Sequence, residues 1–304
     1  MSSKSAVILG FLSAAALAAE ADRIVINPKS AYPEGPAVAH GAIYYAEMGD
    51  DRVMRWNGTD NAPVWSREGC GPTSVARGTN DTLVILCDRE QVLVRITRDG
   101  KTVEVISRDK NGREFLTPNA SINDASGGIF WSASGLFSPT AKAEGAVMYL
   151  APDGTLRRVA EGIHYSNGVA LSPDGKLLYV SEHLSRRILA YDVGANGALS
   201  GTRVFLNLDD VVGKAEHDWD VGPDGLAMDH LGNLYIAEYG GGRLIVVDSH
   251  AKLEATISFA EKYVTAPLLI DGERRIFVTA PVSFEDPQAY GEVYSVVNPL
   301  YGKD

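Results

Sequence analysis

One unit recurs about six times along this chain, and that recurrence constrains the fold more than any other feature. Its clearest copy is residues 167–181, NGVALSPDGKLLYVS: a polar residue, a short alternating run, a tight turn at Pro173-Asp174-Gly175, and a second run. Residues 224–237 (DGLAMDHLGNLYIA), 34–46 (EGPAVAHGAIYYA) and 119–132 (NASINDASGGIFWS) repeat it, with weaker copies at 73–86 and 265–279. Each copy reads as a β-hairpin, because Pro-Asp-Gly, Asn-Gly and Asp-Gly turns separate runs that alternate with period two. Two further strand-like runs follow most copies, as in 91–97 (QVLVRIT) and 101–106 of the second unit. The units open at 34, 73, 119, 167, 224 and 265, about 40 to 57 residues apart, which is the size of a propeller blade. A sheet of four short strands cannot bury both faces alone, whereas six stacked around an axis can. The expected fold is therefore all-β: a six-bladed β-propeller of four-stranded antiparallel blades. The WD dipeptides of WD40 blades are missing from their expected places. The run RIVI at 23–26 is expected to close the ring by joining the last blade.

Residues 1–21 read as a signal peptide, with Lys4 in the basic region, a short apolar run at 6–19 and a small-x-small cleavage site at Ala19-Glu20-Ala21. The apolar run is too short to span a bilayer comfortably. The expected organisation is a signal peptide at 1–21 and a single propeller domain at 22–304. The mature protein is expected to be exported, to the periplasm in a Gram-negative source, with no membrane attachment after cleavage. The formal net charge is −11 and there is no Lys/Arg run, which argues against nucleic acid or an anionic membrane as partner. Cys70 and Cys87 are the only cysteines. They flank the 73–86 hairpin at the same end, and in an exported protein they either pair or remain two space-filling thiols.

The candidate chemistry is positional. The residue that opens each unit precedes the innermost strand and faces the top of the central channel. Those residues are Glu34, Thr73, Asn119, Asn167, Asp224 and Thr265. Two carboxylates and two amides in register form an oxygen-only set suited to one hard divalent cation, Ca²⁺ before Mg²⁺ or Mn²⁺. No Cys/His cluster has zinc spacing. Taken singly, Asn167-Gly168 and Asp224-Gly225 could be turn formers and nothing more. No G-x-S-x-G elbow is present, and Gly240-Gly241-Gly242 is a turn with no helix after it, so neither a serine triad nor a phosphate loop is supported. Two insertions, residues 134–145 and 209–223, leave the face where the units begin and could wall the channel mouth. His217 and Trp219 of the second are candidate pocket-wall residues. His164 and His183 lie near the mouth; His40, His230 and His250 do not and receive no role.

The motifs Pro33-Glu34-Gly35-Pro36, Pro118-Asn119, residues 167–175 (NGVALSPDG), Asp224-Gly225-Leu226-Ala227 and residues 177–191 resemble the SMP-30/gluconolactonase/LRE-like family. The resemblance covers nearly all of the mature chain. It implies a calcium- or zinc-dependent lactonase acting on a small-molecule lactone, with phosphotriesterase relatives of the same architecture. It implies Glu34, Asn167 and Asp224 as metal ligands, Asp224 also as the group that activates water, and Asn119 beside the metal and substrate. Three positions depart from the family pattern. Thr117 stands where animal-type sugar-lactone hydrolases carry a substrate-gripping Arg, Ala120 follows Asn119 in place of Asp, and Ser132-Ala133 replaces Thr-Asp. The implied reaction is metal-dependent opening of a sugar-acid lactone. The rivals are a fluorophosphatase-like hydrolase and a non-catalytic propeller that binds calcium or another ligand.

Overall fold

The alternating runs fold as strands, and neighbouring blades cover both faces of each sheet. In the run Thr82–Cys87, TLVILC, all six residues are buried. Leu83 and Ile85 pack with Tyr44 and Val53 of the preceding blade. Val84 and Leu86 point the other way, toward Trp131 and Met148 of the next blade. A period of two thus places successive side chains in two different cores. Each such aliphatic side chain contributes about 1.5–3 kcal/mol of burial.

The structure is a computed structural model that describes residues 22–215, 219–283, 286 and 288–302. It contains six four-stranded antiparallel sheets. Five are built from consecutive strands, beginning with Pro33–Ala39, Pro72–Arg77, Pro118–Asn123, Ser166–Leu171 and Gly222–Met228 as the innermost strands. The sixth runs from Ala266–Ile270 through Arg275–Ala280 to Tyr290–Val297, and its outer strand is Ile24–Ala31 from the other end of the chain. The expected closure by the N-terminal strand is therefore found. That strand pairs from Ile24 opposite Ser295 to Ala31 opposite Tyr290. Arg23 supports the closure, with its guanidinium 3.8 Å from the centre of the Tyr294 ring and 2.7 Å from Glu261 Oε1. Residues 1–21, with the expected signal peptide, lie outside the described residues. The α-helix among the described residues, Leu208–Val212, is a single short turn at the start of the second insertion.

Three blades share a charged lock. Glu47, Glu182 and Glu238 lie buried at or next to the ends of their strands and bond the cross-strand arginines Arg52, Arg187 and Arg243. In blade two the same place is held by Cys87, opposite Val92. Cys87 is disulfide-bonded to Cys70, with 4.8 Å between the Cα atoms, which resolves the two thiols as a pair.

Candidate active site

Five of the six innermost strands carry a register shift against their neighbour at or just beyond the opening residue: between Glu34 and Ala37, Pro72 and Ser74, Pro118 and Ser121, Ser166 and Val169, and Pro223 and Leu226. A bulge bends a strand and re-aims its side chains. Here the bulges turn Glu34, Thr73, Asn119, Asn167 and Asp224 into one cavity of about 240 Å³ at the channel mouth. In the sixth blade the ladder from Ala266 is regular. Thr265 accordingly does not line the cavity. It is buried, and its hydroxyl donates to the Pro33 carbonyl at 2.9 Å.

Asn167-Gly168 and Asp224-Gly225 are not turns; both lie within strands. Their glycines have a different use. A Cβ on Gly168 would sit 2.1 Å from the Asp224 carbonyl oxygen, one on Gly225 2.5 Å from that of Thr265, and one on Gly35 2.2 Å from that of Thr73. The glycine after Glu34, Asn167 and Asp224 lets adjacent innermost strands approach closely enough for their side chains to meet.

The polar floor is acidic. Burial pushes the Glu34 carboxyl well above its usual range, and repulsion from Asp224 adds to this, against one hydrogen bond from the Gly35 backbone. Burial raises Asp224 as well, offset in part by bonds from the Asn167 side chain and the Gly225 N–H. Asn167 is buried, and its Oδ1 has no hydrogen-bond partner. A third carboxylate, Asp88, joins them from the end of the Cys87 strand, and burial pushes it up to about 6. Among the described residues lining the cavity there is no Lys or Arg.

These groups fit a divalent cation. A buried amide oxygen without a partner and two mutually repelling carboxylates are hard oxygen donors in need of positive charge. Glu34, Asn167 and Asp224 are the residues that would hold it, with Asn119 alongside.

The remaining expected residues fall as follows. Thr117 does not line the cavity; its Oγ1 donates to the Gly135 carbonyl at 3.0 Å and accepts from the Gly135 N–H at 2.8 Å. Ala120 packs into the core between blades three and four, and Ala133 is buried. Trp219 stacks on Phe137 with ring centroids 4.9 Å apart, which joins the two insertions. His217 lies outside the described residues. Sequence reasoning missed Asp88, Phe137, Tyr32, Tyr165 and Tyr239, all of which line the cavity. A signal for two of them was present: Tyr32 and Tyr165 each stand two residues before an opening residue, the place that Thr117 holds in blade three. All three share a left-handed backbone, with φ of 50°, 65° and 42°. His183 also lines the cavity. Its ring nitrogens face the carbonyls of Pro223 at 3.2 Å and Asp220 at 3.0 Å, and burial lowers it to about 4. The ring is therefore neutral at neutral pH and donates to one of the two carbonyls, bracing the segment that leads into Asp224.

The fold and this cavity define a six-bladed propeller with an acidic oxygen-donor site at its channel mouth. The SMP-30/gluconolactonase/LRE-like family model matches residues 32–281, and the chain belongs to that family. It is 30% identical over 178 residues to lactonase drp35 of Staphylococcus haemolyticus, a match spanning 50% of this chain and 51% of that protein. Two solved structures share the fold. A gluconolactonase from Xanthomonas campestris superposes with a TM-score of 0.73 at 23% identity, covering 94% of both chains. A calcium-binding protein, regucalcin, from Agrobacterium tumefaciens gives 0.73 at 17% identity, covering 90% of this chain and 92% of the other.

Proposed function

We propose that this chain is a divalent-cation-dependent lactonase. The observation that carries the reading is the buried, unpartnered Oδ1 of Asn167 beside the Asp224 carboxylate, in a cavity lined by three carboxylates and no Lys or Arg among the described residues. Family membership supports the lactone as substrate, and lactonase drp35 and the Xanthomonas gluconolactonase are relatives with that activity in their names. The regucalcin described as calcium-binding supports Ca²⁺ as the ion. The Cys70–Cys87 disulfide supports export to an oxidising compartment.

When bound, the cation would supply polarisation of the lactone carbonyl and stabilise the charge that develops on its oxygen. Asp224 accepts a proton from the water that attacks the carbonyl carbon. Asn167 lies beside the Asp224 carboxylate and favours its charged, proton-accepting form. Asn119 orients the substrate oxygen. The ring C–O bond then breaks, and the alkoxide takes up a proton to give the hydroxy acid.

The test is a pH-indicator assay on a panel of lactones and one phosphotriester, with Ca²⁺ and with EDTA. The expected result is lactone hydrolysis that EDTA abolishes and Ca²⁺ restores. Hydrolysis insensitive to EDTA overturns the cation's role, and hydrolysis of the phosphotriester alone replaces the lactone reading.

A further inference from the structure

One wall of the cavity is aromatic, and most of its polar atoms are already engaged within the protein. Phe137 projects from the first insertion and packs against Tyr165, His183 and Trp219, with ring centroids 4.8, 5.2 and 4.9 Å apart. Tyr239 continues this wall, 5.9 Å from His183. The hydroxyls of Tyr32 and Tyr239 bond each other at 2.8 Å. Both nitrogens of His183 face backbone carbonyls, and the Thr73 hydroxyl donates to the Pro118 carbonyl at 2.9 Å. The wall therefore presents ring faces and edges to whatever occupies the cavity. The carboxylates that line the cavity are Glu34, Asp88 and Asp224, with no Lys or Arg among the described lining residues.

Resting on the lactonase reading, we infer that the substrate is an uncharged lactone carrying an apolar or aromatic substituent, and that Phe137, backed by Trp219, selects for it. A polyhydroxylated ring placed here would turn part of its hydroxyls from the polar floor onto aromatic carbon, which is unfavourable. A carboxylate or phosphate on the substrate would meet three carboxylates, which outnumber the two charges of a divalent cation. An alkyl or aryl group meets ring surface that it can cover.

The experiment compares kcat/KM, in Ca²⁺, for three δ-lactones: δ-valerolactone, a δ-lactone bearing a pentyl chain, and δ-gluconolactone. Wild type is expected to favour the pentyl lactone over δ-gluconolactone by about tenfold or more. Phe137→Ala is expected to lower the pentyl-to-valerolactone ratio by about tenfold, with Phe137→Leu retaining most of it. The ratio is independent of the fraction of enzyme that is folded. Preference for δ-gluconolactone, or an unchanged ratio in Phe137→Ala, overturns this inference and leaves the lactonase reading standing. Hydrolysis of no lactone overturns both.

Discussion

The Asn167 side chain lies beside the Asp224 carboxylate across the seam between two blades and favours its charged form, while its own Oδ1 stays buried without a partner. One amide thus neighbours the proposed base and keeps an unsatisfied acceptor in a cavity whose described lining holds no Lys or Arg.

Asn167→Ala removes that amide. It is expected to weaken Ca²⁺ binding by about 10- to 100-fold, in the range of losses for groups that set ligand orientation. Isothermal titration with Ca²⁺ measures this directly, and unchanged affinity would remove Asn167 from the ligand set.

Asp224→Asn is expected to keep the fold and to lower turnover by several orders of magnitude, because the amide cannot accept the proton of the attacking water. In EDTA at pH 7 the same variant is expected to melt above wild type. Burial raises the Asp224 pKa, so keeping it ionised in the folded state costs stability that the neutral amide does not lose. Near-normal turnover would exclude Asp224 as base.

Asp88 gives the cation-free protein a pH dependence of defined sign. Its folded pKa is about 6 against an ordinary 3.8, so the folded state holds more protons than the unfolded chain between those values. Stability therefore falls as pH rises from about 4 to 6, by about 2–3 kcal/mol for this group. Glu34 and Asp224 are raised too and act in the same direction. Urea midpoints in EDTA should decline across that window, and Asp88→Asn should flatten the decline.

Gly168→Ala would place a Cβ 2.1 Å from the Asp224 carbonyl oxygen. The seam must open, so a loss of more than about 2 kcal/mol and weakened Ca²⁺ binding are expected. Gly194→Ala is the matched control. Its Cβ would have no neighbour nearer than 3.5 Å, and a change within about 1 kcal/mol is expected. Thermal melts of the two variants decide the point.

Reduction of Cys70–Cys87, which spans a sequence separation of 17, is expected to cost about 3 kcal/mol by the loop-entropy relation. It should also loosen Asp88. The Asp88 N–H donates to the Gly71 carbonyl at 3.0 Å and the Arg89 N–H to the Cys70 carbonyl at 3.1 Å, so the bridge holds both strands of that contact. Urea unfolding with and without reductant tests the stability term.

Much of this was legible before any coordinates. Alternation and turn chemistry are local, so they marked the hairpins and hence the blades. Glu34, Asn119, Asn167 and Asp224 could be aligned because they recur at one place in the repeat. The register argument failed at Thr265, where the sixth blade lacks the bulge that turns the other openers inward. It failed also at Thr117, where the neighbouring Gly135 backbone takes up the hydroxyl. Asp88 was invisible to it, because Asp88 ends a second strand and reaches the cavity only when blade two is set beside blade one.

By itself the sequence determined the number of blades, the alternation that buries them, and which residues stand first in each innermost strand. All three follow from patterns within a few residues of one another. Only the tertiary structure decided which of those residues share a cavity, what aromatic wall faces them, and which carboxylates repel one another. Those depend on bulge geometry, on glycines that let strands meet, and on insertions folding over the mouth, none of which has a repeating local signature.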